Sequence, residues 1–291
     1  SSVCFFLHLR IKYICTMRFR QAFLLIVFSF CLIALSYAQN TRALANVIQL
    51  KNSPESSADE GLNAFFDLGS WMGFSLSADS TSTGFSGPYL LGLEHGLWAS
   101  KQIASLDLLF ANGKSFLTDL KSSEQNYFPG KLENQLHFEN FYLKSVLVFP
   151  SEKSALISTT LTNTQNQNLS FTPQWKGKLF DRFTSLKNYQ THIKVPLESH
   201  QEIYIIPLQE SSIENDSNAY IISLKRCTLK PGESIQFSLE IQYHPDQKNI
   251  QDPIKQSEIS QAIVKNSSRW DGYLQLVTNK AQGEDEKLIL T

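Results

Sequence analysis

From Asn63 onward, apolar and polar positions follow one another in short runs broken by turn residues. Leu106–Ala111, Asn112-Gly113 and Lys114–Leu120 form the best local hairpin signal, because Asn-Gly readily supplies the positive φ values of a tight turn. Leu136–Tyr142 and Ser145–Phe149 follow, the second ending at Pro150. Further runs are Ala155–Thr164, Leu169–Leu179, His192–Leu197, Glu202–Leu208, Ala219–Lys225 and Ser234–His244, the last preceded by the turn Lys230-Pro231-Gly232-Glu233. Strands at this spacing, with no amphipathic helices between them, predict an all-β sandwich or barrel.

After Pro245 the period changes. Ile259, Ile263, Trp270, Leu274 and Val277 fall on one face at helical spacing. Asp252-Pro253 is a suitable start, since proline is tolerated in a first helical turn. Asn266-Ser267-Ser268 is a candidate break that would divide the stretch into two helices. Glu284–Thr291 reads as the start of another helix with no closing turn, so the chain is expected to stop short of the protein's end.

The front of the chain is different. Met17 opens a basic zone (Arg18, Arg20), an apolar run from Ala22 to Leu35 broken only by Ser29, and then Ser36-Tyr37-Ala38. That order predicts a secretory signal peptide, with cleavage between Ala38 and Gln39. The apolar run is shorter than the roughly 20 residues a spanning helix needs, which disfavours a retained anchor. Bulky Phe30 before Cys31 argues against a lipoprotein site. Ser1–Thr16 read as translated sequence upstream of the true start.

Export changes the composition that matters. The leader carries Arg10, Lys12, Arg18 and Arg20 and no acid, so the chain's 26 basic residues less these four leave 22, against 27 acidic ones. No nucleic-acid partner is expected, because phosphate neutralisation needs clustered Lys and Arg. Cys4, Cys15 and Cys31 leave with the leader, and Cys227 alone cannot form an internal disulfide. The exported part is long enough to hold itself by burying one sizeable core.

Local catalytic signatures are absent: no phosphate-cradling loop with lysine, no zinc helix, no Cys pair and no calcium loop. No metal or cofactor is expected. Gly84-Phe85-Ser86-Gly87 has the wrong glycine spacing for a nucleophile elbow. Glu94-His95 could form an acid/base couple, but adjacent strand residues point to opposite faces. The stretch NAFFDLGSWMGFSL, Asn63–Leu76, is the most unusual. Acidic residues are depleted in strand interiors, so Asp67 between Phe66 and Leu68 requires a partner or a solvent-facing site. One account has Asp67 accepting backbone N–H bonds at a turn while Phe65, Trp71 and Phe74 pack as core. The other has Asp67 and Trp71 edging a sugar-binding cleft or a domain interface. The string alone leaves both open.

NAFFDLGSWMGFSL, GFSGPYLLGLEHG (Gly84–Gly96) and SLDLLFANGK together resemble the N-terminal domain of the YgjK-type glucosidases of glycoside hydrolase family 63. SSRWDGYLQLVTN, Ser267–Asn279, is similar to the linker helix before their catalytic domain. The resemblance covers roughly Leu62 to Thr291 and is pattern-like only between Glu124 and Asp246. It implies a mainly β fold, an antiparallel β-sandwich of the super-sandwich type, followed by a short helical linker to an (α/α) barrel.

It further implies that the barrel hydrolyses α-glucosidic bonds with inversion, using two carboxyls spaced to admit a water. Both would belong to the barrel, so no catalytic residue is assigned in this chain. The expected partition is residues 1–38 upstream sequence plus signal peptide (17–38), 39–61 a polar lead-in, 62–246 the sandwich, and 247–291 the linker and the beginning of the barrel. Phe66, Asp67, Trp71, Glu94 and Trp270 are the candidate substrate-binding or domain-interface residues. The expected function is that of the exported (periplasmic or secreted), non-catalytic N-terminal domain of an α-glucosidase. Its partners would be its own C-terminal catalytic domain and, through the parent enzyme, an α-linked gluco-oligosaccharide. No membrane association is expected after signal cleavage. A free-standing carbohydrate-binding sandwich is the alternative, against which the helical tail counts.

Overall fold

The computed structural model describes residues 45–93, 95–245 and 251–278. The chain divides after Ala45, and the architecture below concerns Asn46 onward. Its strands are β1 (Lys51–Asn52), β2 (Met72–Ser77), β3 (Ser86–Leu90), β4 (Leu97–Trp98), β5 (Ser100–Leu109) and β6 (Leu120–Phe128). Then come β7 (Lys131–Phe138), β8 (Phe141–Ser151), β9 (Ser154–Asn163), β10 (Leu169–Leu179), β11 (Lys187–Asn188) and β12 (Ile193–Pro196). The last are β13 (Glu202–Pro207), β14 (Ser211–Asn215), β15 (Ala219–Leu224), β16 (Cys227–Leu229) and β17 (Ser234–His244), followed by one helix, α1 (Ile259–Thr278).

Two sheets form. A nine-stranded sheet runs β1-β2-β3-β5-β10-β15-β14, with β4 added to β3 and β16 to β10. An eight-stranded sheet runs β11-β12-β13-β17-β9-β8-β7-β6. All pairings are antiparallel except β1–β2 and β3–β5. The fold is therefore a mainly antiparallel β-sandwich, with a single α-helix after it among the described residues.

Alternation along each strand decides the layers. In β9, Ala155, Ile157 and Leu161 are buried inward, and in the paired β17 Phe237, Leu239 and Ile241 do the same. Leu106 of β5, Trp175 of β10 and Ile222 of β15 answer them from the other sheet, giving one continuous core. Phe65 and Phe74 close one end, Phe65 lying edge-on to Phe149 with ring centroids 5.4 Å apart.

The outer face of the eight-stranded sheet is polar yet buried, because the chain after β17 folds back across it. Ser238, Glu240 and Gln242 are the outward residues of β17 and are all buried. Ile254 donates its N–H to Glu240 Oε2 (2.8 Å) and Gln242 Nε2 donates to the carbonyl of Gln251 (3.2 Å). Beside them Val146, Val148 and Leu156 meet Ile259, Ala262 and Ile263 of α1. Burial of a side chain such as Ile259 contributes about 1.5–3 kcal/mol. Hydrogen bonds locate the return segment and apolar contact holds it.

Burial raises the Glu240 carboxyl above its ordinary value, despite the bonds it accepts from Ile254, Gln242 and Ser154. A raised carboxyl favours folding while protonated, and that contribution is lost as pH rises through its folded value. Glu240→Gln retains an acceptor for the Ile254 N–H and removes the buried charge. The variant is expected to gain in melting temperature over the parent as pH rises through the carboxylate range to neutrality. Melts across that range check this, and a constant difference between the two proteins would show that Glu240 does not titrate there.

Three local expectations are corrected. The Asn112-Gly113 turn exists, with Gly113 at φ 76°, but its second arm makes only one bridge, Ser115 to Leu109. The chain then crosses to the other sheet as β6. The run Leu136–Tyr142 straddles the turn between β7 and β8, and β8 continues through Pro150 to Ser151. Finally, α1 passes unbroken through Asn266–Ser268.

Candidate functional site

The FFDLGSW stretch folds as a tight excursion off the core. Phe65 and Phe74 pair as an isolated bridge, and the residues between them loop outward. Leu68 (φ 54°) and Gly69 (φ 73°) turn the chain, and the Ser70 N–H closes the turn on the Asp67 carbonyl at 2.9 Å. Phe66 lies against Gly73, where a Cβ would come 2.4 Å from its ring.

This turn aims Asp67 at α1. Its carboxylate accepts the Leu68 N–H at 2.8 Å, Arg269 Nη1 at 3.0 Å, Trp270 Nε1 at 3.0 Å and, closer still, Arg269 Nη2. Arg269 thus grips Asp67 with a two-pronged fork, the stronger geometry for a guanidinium and a carboxylate. Asp67 is only 6% exposed. Burial works against the Arg269 charge, but the Asp67 carboxylate, assisted by Tyr273, outweighs it and raises the guanidinium above its ordinary value.

Two further contacts complete the clamp. Asn266, one turn before Trp270, donates Nδ2 to the carbonyl of Gly130 (2.6 Å) and accepts Arg269 Nη2 on its Oδ1 (2.8 Å). Gly130 stands at φ 87° in the two-residue turn between β6 and β7, and the Trp270 ring lies directly against it. Trp270 also meets Tyr273 edge-on, with centroids 5.7 Å apart, and the Arg269 guanidinium lies 5.6 Å from both rings. Between the turn, Phe149-Pro150 and the helix runs a groove of about 620 Å³.

The sequence-based candidates divide accordingly. Asp67 and Trp270 come together, joined by hydrogen bond. Phe66 sits beside them against Gly73. Trp71 does not join the core: it is 56% exposed, and Leu68 of the turn, Leu91 and Tyr273 of α1 are exposed as well (38–48%). Leu91 is fastened beside Trp71 by its N–H to the Trp71 carbonyl, 2.9 Å. Glu94 lies outside the described residues. Of the two accounts of Asp67, the turn is present, but only one of its four hydrogen bonds is local. Arg269 and Gly130 were not singled out from sequence, and Asn266 was read only as part of a candidate helix break. The usable signal was the SSRWDGY string, which places Arg269 next to Trp270.

Chemically, a carboxylate whose acceptor sites are filled by four internal donors is a fastener, not a proton shuttle. Among the described residues no group of three His, Cys, Asp or Glu side chains could hold a metal ion. Among the same residues no helix is long and apolar enough to cross a membrane.

The profile of the family described as glucosidase YgjK, N-terminal, matches residues 49–271. The chain belongs to that family. The YgjK N-terminal match begins at residue 49, ahead of β1, and ends just after Trp270, so the clamp ties the front part of the matched stretch to its end, 202 residues apart at Asp67 and Arg269. It is accordingly a domain of a carbohydrate-active enzyme family.

The solved structures that match are distant in sequence. A protein assigned as an aldose 1-epimerase from Escherichia coli K12 has a TM-score of 0.41 at 6% identity, over 60% of this chain and 95% of that one. A protein assigned as a kojibiose phosphorylase from the human microbiome has 0.42 at 9%, over 76% of this chain and 34% of that one. Heparan sulfate lyase HepC from Pedobacter heparinus has 0.36 at 10%, over 49% and 24% respectively. The chain therefore spans about a third of the phosphorylase and a quarter of the lyase.

Proposed function

We propose that this chain is the exported, non-catalytic N-terminal domain of an inverting α-glucosidase acting on α-linked gluco-oligosaccharides. In this reading it docks on the enzyme's catalytic domain and helps shape that domain's cleft. The observation that carries the proposal is the Asp67–Arg269–Trp270 clamp, which fixes α1 against the sandwich in a family named for a glucosidase. A helix so fastened gives whatever follows it a defined direction. Exposed Trp71, Leu91 and Tyr273 supply apolar surface for a partner domain to cover. Asp67 itself is spent on the clamp, which leaves the chemistry to carboxyls elsewhere in the parent.

The experiment compares the chain with the product of its longer reading frame on a panel of glucobioses. Residues 39–291 are expected to hydrolyse none, and envelope protein is expected to begin at Gln39. In the longer product Trp71→Ala is expected to lower thermal stability or raise KM while turnover persists. Hydrolysis by the purified chain that disappears in Asp67→Asn would make Asp67 catalytic and overturn the proposal.

A further inference from the structure

A second groove, of about 730 Å³, lies on the outer face of the nine-stranded sheet and shares no residue with the clamp. Strand register builds its floor. Ser105, Lys176 and Ile221 stand side by side across β5, β10 and β15, and Gln102, Lys178 and Ala219 form the next row. Between the rows β5 bulges, setting Ile103 and Ala104 against the single Gly177 of β10. A Cβ there would come 2.0 Å from the Ile103 carbonyl oxygen and 2.4 Å from the Tyr220 ring, and Tyr220 Oη donates to that same carbonyl. Gly177 faces the core at this point, toward buried Tyr220, so only backbone lies between the two outward rows. A bulge of this kind bends its strand locally and re-aims the side chains around it.

The lining is charged but balanced. Three lysines (Lys101, Lys176, Lys178) face three acids (Glu55, Asp79, Asp181). Lys101 is paired with Glu55 at 2.5 Å and Lys176 with Asp107 at 2.6 Å. Asp79 is held below its ordinary value mainly by its hydrogen bond from Thr81, and Asp181 accepts Asn218 Nδ2 at 3.1 Å. Lys178 is exposed and has no ion pair among the described residues. Each ammonium offers three donors and each carboxylate about four acceptor sites, so capacity of both kinds remains.

That mixture selects a ligand class. A sulfate or phosphate would meet three carboxylates, and a cation would meet three ammoniums. Hydroxyl groups both donate and accept, and so can use every group present. Ala219 and the 37%-exposed Ile221 add an apolar strip on which the C–H face of a sugar ring can rest. The volume lies within the ~300–1,000 Å³ of ordinary ligand sites.

We propose that this groove is a non-catalytic binding site for a short neutral oligosaccharide, read by hydroxyl contacts with Lys178, Gln102 and Asp181 over the Ala219–Ile221 strip. The choice of glucose units rests on the functional reading above; the hydroxyl chemistry does not.

The test titrates the ¹⁵N-labelled chain with maltotetraose, following amide signals and heat of binding. Saturable shifts are expected around Lys178, Ala219 and Asp181, with Trp71 and Arg269 unmoved. Lys178→Ala, an exposed position, is expected to weaken binding about tenfold through loss of a charged hydrogen bond. Ala219→Trp is expected to abolish binding by filling the strip, and if it fails to fold, Lys178→Ala decides alone. Three outcomes overturn the site: no saturation at millimolar sugar, affinity unchanged in Lys178→Ala, or tighter, salt-sensitive binding of a sulfated glucan. Shifts centred on Trp71 would also overturn it, while leaving the docking proposal standing.

Discussion

Replacing Arg269 by methionine is expected to destabilise the folded chain by about 3–5 kcal/mol, the range for breaking a buried ion pair from one side. The substitution keeps helix propensity and much of the side-chain bulk, so the loss isolates the guanidinium. What remains is the Asp67 carboxylate, its side chain 4% exposed, with only the Leu68 and Trp270 N–H groups to hold it. Removing both charges, in Asp67→Asn with Arg269→Met, is expected to cost clearly less than the two single changes added together. Two residues in one hydrogen-bonded pair couple in this way, whereas distant residues add. Lys225→Ala, which breaks a pair exposed at 73% and 76%, is the control and should shift stability by no more than about 1 kcal/mol. Urea titration followed by tryptophan fluorescence measures the four variants against the parent. If Arg269→Met unfolds at the parent's midpoint, or if the changes add, the clamp does not hold the helix.

Sequence carried the sandwich further than the clamp, for a physical reason. Leu169–Leu179 and Ser234–His244 coincide with β10 and β17 because apolar and polar residues alternate along both in sequence. β6, read from LKSSEQNYF, had no such pattern: it is the edge strand of its sheet, and its first five residues are exposed or half-buried. The outer residues of β17 are polar by sequence and buried in the structure, because the return segment supplies hydrogen bonds that no local pattern announces. Asp67 was conspicuous as an acid among aromatics, but its main partner lies 202 residues away, beyond any local spacing rule. Trp71 illustrates the converse: flanked by core aromatics in sequence, it projects outward because the Leu68-Gly69 turn reverses the chain before it.

The unbroken helix has a related origin. Asn and Ser favour helix ends by offering the backbone competing hydrogen bonds. At Asn266 both side-chain groups are engaged elsewhere, Nδ2 by the Gly130 carbonyl and Oδ1 by Arg269. With its amide so committed, Asn266 has no competing bond to make, and the helix continues. The residue that predicted a break is instead one of the ties between helix and sandwich.

That tie makes Gly130 the second sensitive position. Gly130→Ala is expected to cost about 2–4 kcal/mol, combining the strain of a side chain at positive φ with overpacking. The backbone stands at φ 87°, and an added Cβ would lie 2.0 Å from Trp270 Cδ1, so the indole must move. Moving it withdraws Nε1 from Asp67 and loosens the Asn266 bond to the same turn. The two parts of the cost can be separated. Trp270→Ala removes the obstacle and its own hydrogen bond but leaves the positive φ, so adding Gly130→Ala in that background should cost only the backbone strain, about 1–3 kcal/mol. The measurement is the difference between the Gly130→Ala penalties with and without Trp270, taken from denaturation midpoints at equal slope. A penalty that stays the same in the Trp270→Ala background would mean the indole does not press on the turn, and the helix would then be fixed by Arg269 and the Ile259 cluster alone.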